Sequence, residues 1–103
     1  VNQEKGCEKQ AMIRKTVKIT DPMGLHLRPA GKLCEEAVRF QSRITLEYSR
    51  EGALCTANAK SVLGILAACI GRGETIAVCC DGPDEEEAAR EILKLFDEME
   101  QSC

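Results

Sequence analysis

A single histidine, His26, stands in the run Gly24-Leu25-His26-Leu27-Arg28-Pro29-Ala30, among residues that would let an imidazole carry a phosphoryl group. Proline is accepted in the first turn of a helix, where its missing N–H would have had no partner, so Pro29 marks a helix start directly after the histidine. The free backbone N–H groups of such a turn and the positive end of the helix dipole make a preformed anion site. Arg28 adds a permanent cation whose forked donors suit phosphate. Gly24 permits the backbone turn that could aim the ring. An isolated surface histidine is ordinarily an unremarked polar residue or a helix-end accessory. Here the neighbours point instead to a reversible phosphohistidine, because neutral imidazole is a good nucleophile and the N–P bond it forms stays labile.

The elements that would hold this site can be read from periodicity. Ile13 to Ile19 roughly alternates apolar and polar side chains, with Lys15 breaking the pattern, and suggests a first strand. Asp21-Pro22-Met23-Gly24 is a turn, after which Ala30, Leu33, Ala37 and Phe40 fall at helical spacing. Ile44, Leu46 and Tyr48 alternate through a second strand, Ser49 to Gly52 offers a hairpin connection, and Ala53 to Ala59 a third strand. Ser61 occupies an N-cap position before the apolar run Val62 to Ile70, which must be buried or shown to a partner. Glu74 to Asp81 forms a fourth strand. A last helix follows, with Asp84 to Glu87 at its dipole-favoured start and Ala88, Ile92, Leu95, Phe96 and Met99 along one side. The order βαββαβα implies an α+β open-faced β-sandwich, a four-stranded and mostly antiparallel sheet covered by three helices.

The 103 residues fit one domain, with residues 1–11 read as a disordered tail or extension and 12–103 as the folded unit. With one tyrosine, two phenylalanines and no tryptophan, the core must be aliphatic. A formal charge of -3 and the lack of a basic, aromatic-laced stripe argue against nucleic acid. Seven cysteines are scattered and odd in number, with no CxxC pair, so a metal site is not expected; most read as small buried residues of a reduced cytoplasmic protein, with Cys7 and Cys103 at exposed ends. No apolar segment approaches the ~18 residues of a membrane span, and no hydrophobic signal region leads the chain. A small hydrolase on a similar scaffold would need a second acid or base beside the anion site, and none is evident.

From Met12 to about Glu100 the chain resembles the histidine-containing phosphocarrier (HPr) family of the bacterial phosphotransferase system. The resemblance rests on Gly24 to Ala30, on the element order, and on Asn58-Ala59-Lys60-Ser61 before an apolar helix. Gly82-Pro83, the acids after it and Ala88-Ala89 resemble the last-helix entry of the nitrogen-related branch. The resemblance implies that His26 accepts a phosphoryl group on Nδ1 from enzyme I, itself charged by phosphoenolpyruvate, and passes it to an enzyme IIA domain, with Arg28 stabilising the phosphate. It further implies that Ser61 is a regulatory phosphorylation site where the sensor kinase (HPr kinase/phosphorylase) exists, and that Leu27, Leu63 and Leu66 form a partner-docking rim. A cytoplasmic monomer without a cofactor, serving sugar transport, is the main expectation. The alternative is a nitrogen-branch regulator acting through phosphorylation-dependent protein binding. Two features depart from the family pattern: the many cysteines, and a connection after Tyr48 that reads as longer than a tight hairpin.

Overall fold

The computed structural model describes residues 12–101; the proposed tail with Cys7, and Cys103 at the other end, lie outside the described residues. Seven elements follow one another in the expected order: β1 (Ile13–Lys18), α1 (Leu27–Ala37), β2 (Arg43–Arg50), β3 (Ala53–Asn58), α2 (Val62–Ala67), β4 (Thr75–Asp81) and α3 (Glu85–Gln101). The sheet order is β1-β4-β2-β3, and every adjacent pair is antiparallel. This is the α+β open-faced sandwich that the alternation of strands and one-sided helices implies.

Register decides which side chains meet the helices, because successive strand residues point to opposite faces. Cys80 lies opposite both Ile13 and Ile44, and Leu46 opposite both Val78 and Ala57. With Ile13 half-buried against them, the others form one buried cluster with Leu33 and Ala37 of α1, Ile65 of α2, and Ala88 and Ile92 of α3. Each buried Leu or Ile contributes roughly 1.5–3 kcal/mol relative to exposure. The aliphatic composition is therefore enough to close the core without tryptophan.

Three local expectations change. The connection after Tyr48 is tight, not long: β2 and β3 continue paired to Arg50 and Ala53, leaving only Glu51 and Gly52, with φ of 54° and 82°. Positive φ at both central residues is the geometry whose twist matches a two-residue hairpin, so the extra length is taken up as strand. The apolar run after Ser61 is helical only to Ala67, and Cys69 turns the chain with φ 52°. Finally, among the described cysteines only Cys79 and Cys80 are buried; Cys34 and Cys55 are half-buried and Cys69 is exposed. The exceptions follow from place, since Cys34 lies beside the buried stripe of α1, Cys55 is on the edge strand β3 and Cys69 is in a turn. Cys79 and Cys80 point to opposite faces as expected, Cys80 into the core and Cys79 across the ladders from Arg14 and Thr45. Burial, above all, pushes the Cys80 thiol up to about 11 and keeps it uncharged.

The acids opening α3 do more than match the helix dipole. Asp84 accepts from the Gln41 and Ser42 backbone N–H groups at 2.9 Å each and from the Ser42 hydroxyl at 2.5 Å, tying the start of α3 to the entry of β2. These donors, the Ser42 hydroxyl foremost, hold the Asp84 carboxyl below its ordinary value. On acidification the unfolded chain therefore takes up this proton first. The stabilisation is complete above the unfolded value of ~3.9 and is lost as pH falls through the lower folded value. Asp84→Asn is expected to lower the urea midpoint at neutral pH and to flatten its fall below about pH 4; an acid limb with wild-type steepness would contradict this role.

Candidate functional site

The loop carrying His26 is built by contacts on both sides. At its start, Ile19 donates its N–H to the Glu74 carbonyl at 2.9 Å and accepts from the Gly73 N–H at 2.7 Å. Asp21 then makes a compact turn: its carbonyl accepts from the Gly24 N–H and its Oδ1 from the Met23 N–H, each at 2.9 Å. Gly24 follows with φ 69°, and a Cβ there would lie 2.3 Å from the Ile70 carbonyl oxygen and 2.7 Å from Gly71 Cα. Only a residue without a side chain fits. Leu25, buried, donates its N–H to that same Ile70 carbonyl at 2.9 Å. The next residue is thereby presented outward.

That residue is His26, the N-cap of α1, with extended backbone (φ −81°, ψ −168°). Its carbonyl accepts the Ala30 N–H at 2.9 Å, while its side chain makes no capping hydrogen bond. The ring is 33% exposed, and Nε2 lies 3.6 Å from Oδ1 of Asp21. The Leu27 and Arg28 N–H groups, in the first helical turn, have no intrahelical acceptor, and Pro29 has no N–H to satisfy. Helix α1 thus starts at Leu27, two residues before the proline that signalled it. Arg28 is exposed and forms no ion pair or side-chain hydrogen bond with the described residues. An uncapped imidazole, first-turn amides without intrahelical acceptors and an unpaired guanidinium at one helix terminus can receive an anionic group.

Helix α2 packs against α1. Ser61 is its N-cap, half-buried, with Oγ accepting from the Gly64 N–H at 3.0 Å. Leu27 is 66% and Leu63 78% exposed, unusual for large apolar side chains, and Met23 in the loop before His26 is 73% exposed. Leu66 differs: it is half-buried and packs against the core, so less of it is free. Among the described residues, no three His, Cys, Asp or Glu side chains gather as a metal site would require, and no helix is long and apolar enough to cross a membrane.

Two supports of the site have no local signature in the sequence. Asp21, there a turn residue, is a carboxylate facing the imidazole. Arg50, there part of a hairpin loop, reaches from the end of β2 to Glu74 Oε1 and to the Ala68 and Cys69 carbonyls, all at 2.7 Å. Glu74 Oε2 in turn accepts the Gly71 N–H at 2.7 Å. The Arg50 guanidinium, with help from that amide, holds the Glu74 carboxyl below its usual range. The clasp therefore fixes the segment on which Gly24 and Leu25 rest.

The family model described as the PTS HPr component phosphorylation site matches residues 13–98. The chain is 36% identical over 85 residues to the phosphocarrier protein HPr of Treponema pallidum, covering 82% of this chain and 92% of that protein. The chain belongs to the HPr family. It is also 36% identical to the HPr-like protein Crh of Halalkalibacterium halodurans, over 84% of this chain and 98% of the relative. A solved Mycoplasma histidine-containing phosphocarrier protein superposes with a TM-score of 0.79 at 32% identity, covering 85% of this chain and 96% of that one. In this HPr-family chain the match spans His26, Arg28 and Ser61 together with the sheet and helices that carry them.

Gly24 has no room for a side chain in this scaffold. Gly24→Ala is expected to destabilise the fold by at least ~2 kcal/mol, from the left-handed backbone cost and the clash with Ile70 together. Urea unfolding measures the loss, and hydrogen exchange at the Leu25 amide should accelerate beyond what the global loss accounts for.

Proposed function

We propose that the protein is a phosphoryl relay of the phosphotransferase system, taking a phosphoryl group on His26 Nδ1 from enzyme I and passing it to a histidine of an enzyme IIA domain. The observation that carries the proposal is the uncapped imidazole at the N-terminus of α1, in the same first turn as an unpaired Arg28, in a chain of the HPr family. The Nδ1 lone pair attacks phosphorus as the donor's N–P bond breaks, and its electron pair returns to the donor nitrogen. The first-turn amides and Arg28 then face the three phosphoryl oxygens. A carrier has to hold the group only modestly. Partial helix charges and one exposed cation meet that need, whereas a buried cradle of several cations would retain the phosphoryl group.

Leu27 and Leu63, with the exposed part of Leu66, supply the apolar rim on which both partners would seat. A role in a phosphotransferase system would put the protein in the cytoplasm. The Gly82-Pro83 helix entry favours a second reading, that of a nitrogen-branch regulator whose phosphorylation state mainly governs binding to regulatory partners. The two separate on whether a sugar-linked or a nitrogen-type enzyme IIA drains the group faster.

Incubation with enzyme I and labelled phosphoenolpyruvate should yield an acid-labile, base-stable phosphoprotein. His26→Ala should abolish the label, and Arg28→Gln should slow transfer by roughly tenfold or more, as expected for losing one charged donor to a transferring group. Label that survives His26→Ala would remove the proposal.

Ser61 fits a regulatory phosphorylation site on the same surface, because its cap and Leu63 share one short helix. A phosphate at a helix N-terminus is electrostatically tolerated, so it can alter docking without unfolding the helix. Ser61→Ala should cost about 1 kcal/mol of stability from the lost cap with little change in transfer. Ser61→Asp should keep the fold but raise KM for enzyme I, read from circular dichroism and from initial transfer rates.

A further inference from the structure

The phosphoryl relay uses the imidazole, the helix terminus and Arg28, and leaves the carboxylate facing the ring without a role. Asp21 is held where it is by local chemistry. Its Oδ1 accepts the Met23 N–H at 2.9 Å, its carbonyl accepts the Gly24 N–H at 2.9 Å, and Pro22 between them restricts the backbone. The same Oδ1 lies 3.6 Å from Nε2 of His26, beyond hydrogen-bond length but within range of an ion pair. Both side chains are only 33% exposed, so solvent screens the pair incompletely.

A neutral imidazole carries one proton, and whichever nitrogen lacks it is the nucleophile. The partner facing one nitrogen sets which form prevails. Covalent geometry gives the two nitrogens different surroundings. Nδ1 is nearer the main chain of the residue that caps the helix; Nε2 is at the far end of the ring, the end that Asp21 faces.

We infer that Asp21 is a positioning residue for His26: the carboxylate 3.6 Å from Nε2 holds the ring proton there and so leaves the Nδ1 lone pair free to attack phosphorus. The inference rests on His26 being the phosphoryl acceptor. In the transfer step the Nδ1–P bond forms as the donor's N–P bond breaks, the electron pair returning to the donor nitrogen. The Nε2 proton does not move. The ring passes from neutral imidazole to a phosphorylated imidazolium, and Asp21 faces the positive charge that appears. Onward transfer breaks the Nδ1–P bond, returns its electron pair to Nδ1 and restores the neutral ring. One carboxylate thus selects the nucleophilic nitrogen and favours the loaded state.

The sequence contains one histidine, so selective ¹⁵N-histidine labelling gives a single pair of ring resonances. Asp21→Asn keeps an Oδ1 acceptor for the Met23 N–H and removes the charge; Asp21→Ser keeps a shorter acceptor and guards against a rearranged amide. In mildly alkaline buffer, the wild-type shifts should report a proton predominantly on Nε2, and both variants should move toward a mixture of the two forms. With enzyme I and labelled phosphoenolpyruvate, both variants should load roughly tenfold more slowly in kcat at unchanged KM, the scale of one lost charge at this separation. Asp97→Asn, on the exposed side of α3, should change neither measurement. Unchanged ring shifts in both variants would overturn the inference, and so would a rate loss confined to KM, which would make Asp21 a docking residue. If wild-type protein takes no label on His26, the relay itself fails, while the ring shifts still report separately whether Asp21 governs the tautomer.

Discussion

The close approach of Gly24 to the backbone of Ile70 and Gly71 is the constraint on which the rest of the site depends. There the loop after β1 touches the segment after α2 with no room for a Cβ, and the Leu25 N–H seals the contact on the Ile70 carbonyl. Two stretches some forty-five residues apart in sequence become one ledge, and His26 is the first residue beyond it. The imidazole is half-exposed without resting on a loose loop. Its backbone is fixed on one side by this contact and on the other by the first turn of α1. A reachable group on a fixed backbone suits a relay that must offer the same geometry to a donor and an acceptor in turn.

The ledge needs its own anchor, because α2 has only six residues and ends in a turn with Cys69 at positive φ. A helix this short contributes little stability by itself. Arg50 compensates by donating to the Ala68 and Cys69 carbonyls, which the helix end leaves without intrahelical donors, while Glu74 joins Arg50 to the Gly71 N–H. The guanidinium also lies over the Tyr48 ring, 5.0 Å from its centroid. The hairpin that reads from sequence as a long connection is thus a pair of continued strands, and Arg50 at the end of the first reaches the ledge that supports His26.

The parts legible in the sequence were those whose cause is local. His26, Arg28 and Pro29 sit within four residues at a helix start, Ser61 stands directly before its helix, and the alternation in β2 and β4 fixes which side chains face the core. What stayed hidden depends on distant contacts. Nothing near Arg50 shows that it will meet Glu74, nothing near Ser42 shows that it will cap onto Asp84, and Asp21 reads as a turn residue until the turn brings it back to the ring. The cysteines failed for a related reason. Thiols are often buried, but strand edge, helix flank or turn decides each case, and those are properties of the assembled fold.

The charge pattern around His26 is consistent with a bound group that must leave again. Arg28 is exposed, so its attraction is screened by solvent, and the helix terminus offers only partial charges. The one full negative charge placed against the ring is on the Nε2 side, away from the nitrogen that would bear the phosphoryl group. Attraction for the phosphoryl oxygens and attraction for the charged ring are thereby assigned to separate groups, neither of them deeply buried. The first can weaken without the second when a partner docks: an approaching acceptor can compete with Arg28 for the phosphoryl oxygens while Asp21 stays against the ring. A carboxylate on the phosphoryl side would instead repel the transferring oxygens and oppose Arg28, so its place at the far end of the ring lets it favour the charged imidazole without weakening the hold on the phosphoryl group.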